Sequence, residues 1–211
     1  MYRDQMSYLR QLLEGQPVLK KRITAFVAKV REAWGDLPYP GDDNIVPETN
    51  PLFEEPAVVQ EIFTGKRWQE VTLQDVFTSR DHSVWFTPQA FRYYMGVFMI
   101  AAIIHYYEVD VAGSSTFHYL TPPRLRDPHW TDSIDWTEII PKLQRSFLER
   151  ASKFDAAQRA VIIEFLELHV LVDRGLDPDD DFNADDLAAG KEFWSHPEFE
   201  KMIADKLKAD S

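Results

Sequence analysis

Cysteine is absent from the 211 residues. This excludes disulfides, thiol nucleophiles and thiolate zinc sites, and predicts a cytoplasmic protein at home in a reducing compartment. Positive charge is scarce: 23 Lys and Arg stand against 35 Asp and Glu, for a formal net charge of −12. So acidic a chain repels phosphate backbones and anionic headgroups, and neither nucleic acid nor a membrane is an expected partner. Glycine numbers only eight, and no phosphate loop, dinucleotide fingerprint or Gly-x-Ser-x-Gly elbow occurs. At Gly65-Lys66 a phosphate loop fails because Gln60 stands where its first glycine belongs and Arg67 replaces the magnesium-binding hydroxyl. Long apolar runs are missing as well. The most apolar stretch, Met95 to Ile104, holds ten residues between Arg92, His105 and Glu108, half of the roughly 20 a spanning helix needs. Met1 to Leu13, with Arg3, Asp4 and Arg10, does not read as a signal peptide.

What is present is globular: 45% hydrophobic and 13% aromatic residues, enough to bury a core in one acidic domain over 1–211. Helical spacing recurs along the chain. Met6, Leu9 and Leu13 form a short stripe, and Gly15 and Pro17 stop and restart the helix. Leu19, Ile23, Phe26, Val27, Val30 and Trp34 then line one face, with Lys20, Lys21, Arg22, Lys29 and Arg31 on the other. The Pro- and Asx-rich segment 37–44 is a loop. Glu55-Pro56 opens a helix that Gly65 closes, and Thr72 with Asp75 forms a capping box. Thr87-Pro88 starts a helix that is apolar nearly all round. The prediction is an all-α, compact multi-helix bundle around that central apolar helix, about residues 88–107. Thr116 to Leu120 reads as irregular. Pro141 starts another helix, Asp155 and Gln158 cap one running through Val172, Asn183 caps the next to Trp194, and a peripheral C-terminal helix lies within 195–211.

Candidate chemistry is thin. Asp177, Asp179, Asp180, Asp181, Asp185 and Asp186 crowd one loop, yet no EF-hand frame fits: counting from Asp177, Phe182 falls where the turn needs Gly and Ala188 where the closing Glu belongs. No metal site is expected, for no His-Glu-x-x-His pair occurs and His105 with Glu108 reads as a polar helix end. No catalytic residue can be named. The proline-stiffened segment bearing His118, Arg124, Arg126, His129 and Trp130 has anion-recognising chemistry, because guanidinium offers a rigid bidentate fork. With Arg92 and Tyr93 of the central helix it forms the candidate ligand site.

Four motifs carry a resemblance: Phe63-Thr-Gly-Lys66-Arg-Trp68, Phe86-Thr-Pro-Gln-Ala-Phe91-Arg-Tyr-Tyr94, Leu120-Thr-Pro-Pro123 and Phe154-Asp-Ala-Ala-Gln158-Arg159. Together they resemble a family of uncharacterised bacterial proteins, a domain of unknown function. Members of that family commonly carry cysteines before the Gly-Lys-x-Trp segment, where this chain has Pro56 and Ala57. The resemblance therefore implies no metal or redox role, and it supplies no activity. Separately, Trp194 to Lys201 is similar to a streptavidin-binding affinity tag at seven of eight positions, departing at Glu198.

Charge is unevenly spread: residues 1–41 sum to +3, 42–90 to −6, 91–153 to zero and 154–211 to −9. With no cofactor implied, this predicts a non-enzymatic protein–protein interaction module with a basic protein partner, in the manner of a toxin-neutralising immunity protein, using the acids from Asp177 to Asp186. The alternative is an enzyme or small-anion binder centred on Arg92, His118 and Arg124.

Overall fold

The computed structural model of the chain describes residues 14–47, 54–80, 82–109, 111–124, 136–176 and 183–209. Among the described residues there are nine α-helices and no strand: α1 Pro17–Trp34, α2 Glu55–Phe63, α3 Leu73–Thr78, α4 Pro88–Ile104, α5 Ala112–Tyr119, α6 Trp136–Ala151, α7 Ala156–Leu176, α8 Ala184–Trp194 and α9 Phe199–Ala209. None is long and apolar enough to cross a membrane. The expected stripe at Met6, Leu9 and Leu13 lies outside the described residues.

The central helix is α4. The Thr87 hydroxyl caps it by accepting from the Ala90 amide at 3.1 Å, and Pro88 occupies the first turn, where its missing N–H leaves no helical bond unmade. Eleven of its 17 residues are buried, because α1, α5, α6 and α7 all pack on it. Gly96 permits the closest approach: a Cβ there would lie 3.0 Å from Trp34 Cγ. Helix α1 lays Leu19, Ile23, Phe26, Val30 and Trp34 into the core, each such side chain contributing about 1.5–3 kcal/mol through burial. It runs antiparallel to α7, tied by Arg22–Glu167 and Lys29–Glu164 ion pairs at 3.4 and 2.7 Å.

Capping chemistry holds where the sequence places it. Thr72 and Asp75 exchange hydrogen bonds of 2.8 and 3.2 Å at the start of α3. Asp155 and Gln158 do the same before α7, at 3.3 and 3.0 Å. At φ 68°, Gly65 ends α2 in a left-handed turn, and its amide donates to the Tyr39 hydroxyl and to Asp42 Oδ1. That bond and the Tyr39 hydroxyl hold the Asp42 carboxyl below its usual range, the tyrosine contributing most.

Three local expectations change. Residues 112–119 are helical, not irregular: the Thr116 hydroxyl bonds back to the Ala112 carbonyl at 2.6 Å and Ser114 to Val111 at 3.0 Å. Phe117 anchors the turn in the core, so packing overrides the weak helix propensity of a Gly-Ser-Ser-Thr run. Pro141 lies inside α6 instead of opening it. Asn183 precedes α8 but does not cap it with its side chain, which donates to Asp173 Oδ2 at 3.1 Å. Helix α9 is exposed along most of its length and sends Phe199 and Ile203 into the same core as α1 and α4. The tag-like segment is part of that core too, for Trp194 donates its indole N–H to the Leu120 carbonyl at 2.7 Å and stacks on Phe199.

Candidate functional site: a buried polar junction of helices α5, α7 and α8

The motif residues are occupied in holding the bundle together. The Tyr94 hydroxyl reaches the carbonyls of Phe63 and Lys66 at 3.1 and 2.9 Å, and Trp68 donates its indole N–H to the Trp34 carbonyl at 3.0 Å. Trp34 in turn donates to the Arg92 carbonyl at 2.7 Å. The Arg92 guanidinium meets Gln158 at 2.7 Å and Asp155 at 2.8 Å, while Gln158 donates on to Ala33 at 3.2 Å. Tyr93 is buried, its hydroxyl accepting from the Trp68 amide at 3.4 Å. These bonds close a loop through α1, α4 and the start of α7, and they engage residues of three of the four motifs.

Arg124 belongs elsewhere. Its Nε and Nη2 both donate to Asp186 Oδ1, at 2.9 and 2.5 Å, and the Asp186 side chain is only 6% exposed. This corrects two expectations. Asp186 is not an exposed interaction residue, because its carboxylate is buried and committed to Arg124. Arg92 and Arg124 do not converge either. Arg92 sits at residues 155–158 of α7, whereas α8 runs antiparallel along α7 with Asn183 beside Asp173 and Lys191 beside Glu167. Asp186 is therefore more than ten residues further along α7, on the order of 20 Å away at 1.5 Å per residue. Asp185 is exposed. Arg126, His129, Trp130, Asp177, Asp179, Asp180 and Asp181 lie outside the described residues.

Around Asp186 the structure gathers polar groups that the sequence does not flag. His118 Nδ1–H donates to the Ser114 carbonyl at 2.7 Å, which leaves Nε2 to face Asp186 Oδ2 at 4.0 Å. Asp173 accepts from the Tyr106 hydroxyl and from Asn183. Between these sits His169, 1% exposed. Its ring stacks on Phe117 at 5.0 Å and lies 5.8 Å from both Tyr106 and Phe165, and neither ring nitrogen makes a hydrogen bond of good geometry. A Cβ on Gly113 would stand 3.6 Å from Nε2, an ordinary contact distance, so α5 lies directly over the imidazole. Burial pushes the His169 pKa down to about 4, with Asp173 opposing the shift and His118 reinforcing it.

His169 carries one sequence signal: it is a lone histidine in the apolar run from Val161 to Val172, four residues before Asp173. Nothing local reveals that its partners come from α5 and from the turn after α4. Arg150 is a buried cation. It lies over the rings of Phe91 and Tyr119, and burial lowers its pKa to about 10. Among the described residues, no three His, Asp or Glu side chains converge to hold a metal ion. The chain matches no family model, no curated protein and no solved structure.

Proposed function

We propose that the chain is a non-enzymatic protein-binding module that recognises a basic protein through an exposed acidic face. A toxin-neutralising, immunity-type role uses this chemistry, since masking a basic protein requires surface area and opposing charge more than catalytic groups. One observation carries the reading. Residues 42–65 hold six carboxylates and no Lys or Arg; of these Asp42, Asp43, Glu54 and Glu61 are exposed and Glu55 half-buried. The Asp42–Asn44 turn lies against the end of α2, where Gln60 donates to the Asp42 carbonyl at 2.8 Å. Asp43 and Glu61, the sequence neighbours of this bonded pair, are both exposed.

The C-terminal acids support the reading less than their number suggests, because many meet cations inside the molecule. Asp155 meets Arg92, Glu164 meets Lys29, Glu167 meets Arg22 and Lys191, and Glu200 meets Arg159. Arg92 and Arg124, the cations of the anion-binding alternative, are likewise held by carboxylates.

Affinity capture from native lysate at low ionic strength, followed by mass spectrometry, tests the proposal with the Asp43→Asn, Glu54→Gln, Glu61→Gln triple variant as control. The expected result is one stoichiometric basic protein on the wild type and its loss from the variant. Equal recovery on both would refute the acidic face as the binding surface.

A further inference from the structure

The junction around His169 encloses an imidazole among aromatic rings, and Asp173, the described carboxylate that acts on it, already accepts from Tyr106 and Asn183. From its own helix, His169 meets Phe165 and Asp173; from the turn after α4 it meets Tyr106; from α5 come Gly113, Phe117 and His118. Asp173 is engaged by Tyr106 and Asn183, and Asp186 of α8 by Arg124. The charged groups that α1 and the far part of α8 bring to α7, namely Arg22, Lys29 and Lys191, are paired with Glu167 and Glu164. His118 is the nearest second titrating ring, and its Nε2 is already directed at Asp186.

We propose that His169 is an acid-released latch for helix α5. On gaining a proton the ring leaves the Phe117, Tyr106 and Phe165 enclosure, and α5 detaches while the α1–α7 packing stays closed. The physical reason is direct. A neutral imidazole tolerates an aromatic box, whereas an imidazolium there carries a desolvation cost larger than the opposing pull of Asp173 and the Gly113 backbone, and hydration outside the box removes it. The element it holds is short: α5 is eight residues long and buries Ala112, Gly113, Thr116 and Phe117 against α4 and α7. Histidine is the side chain whose ordinary pKa places such a change in the mildly acidic range.

Hydrogen exchange on the full chain tests the latch, with protection factors corrected for intrinsic pH dependence. Protection of the Ser115–Leu120 amides should fall relative to Phe26–Val30 as pH drops below about 6.5, approaching tenfold per pH unit. In His169→Phe, which keeps an aromatic ring and cannot take a proton, the two segments should stay parallel from pH 7 to 4.5. Loss of α5 protection to the same extent in wild type and His169→Phe would overturn the proposal. Should that variant fold poorly, a histidine-ring NMR titration of the wild type decides: His169 must titrate together with the loss of α5 protection. Titration at an ordinary histidine value with α5 still protected would contradict the latch.

Discussion

Asp186 and Arg124 show how one buried charge fixes the behaviour of its neighbours. The carboxylate is buried and the guanidinium partly solvated, so removing the arginine takes a close cation from a buried charge. Arg124→Ala is expected to cost about 3 kcal/mol, and Arg124→Ala with Asp186→Asn to recover most of it, read from urea unfolding midpoints. Additive losses would mean that the pair is not coupled. His169 adds a pH term with a definite sign. Its folded pKa of about 4 lies below the ordinary 6.5, so the unfolded chain binds the extra proton between those values. Stability from this group is complete above about pH 6.5 and is lost as pH falls to about 4, a total on the order of 3 kcal/mol. The difference between wild type and His169→Phe in urea at pH 7 and 4.5 measures it. Arg150 makes the opposite case. Buried over two rings with Nη1 unpartnered, it should accept Arg150→Met with a change within about 1 kcal/mol, since an apolar side chain of similar length avoids the desolvation cost.

Helices here are legible wherever start signals and core stripes agree. Pro17, the Thr72 and Asp75 capping box, Thr87-Pro88 and the Asp155 and Gln158 exchange each mark a start that the structure keeps. Helix α5 is the counterexample, because its stability resides in what Phe117 and Gly113 touch across the bundle and not in its own residues. The same limit governs the site. Arg124 reads as an anion-binding arginine until its carboxylate arrives from residue 186, and His169 reads as one polar interruption until α5 closes over it. Gly96 tests the packing of elements directly. Alanine is the better helix former by about 1 kcal/mol, yet its Cβ would press on Trp34 at 3.0 Å, against an indole fixed by its bond to the Arg92 carbonyl. Gly96→Ala should therefore be net destabilising by about 1–2 kcal/mol in chemical denaturation.

At the scale of the whole molecule, charge is sorted between holding the fold and facing outward. The basic face of α1 meets the acids of α7, whereas residues 42–65 hold six carboxylates and no Lys or Arg of their own. That division is the central claim, and association kinetics with the captured basic protein test it most directly. The rate constant should fall about tenfold or more between 0.05 M and 0.5 M salt, as screening shortens the reach of the acidic face. The Asp43→Asn, Glu54→Gln, Glu61→Gln variant should associate more slowly at low salt and show a flatter dependence. A wild-type rate that does not change with salt, or a variant that follows the wild-type curve, would contradict the account.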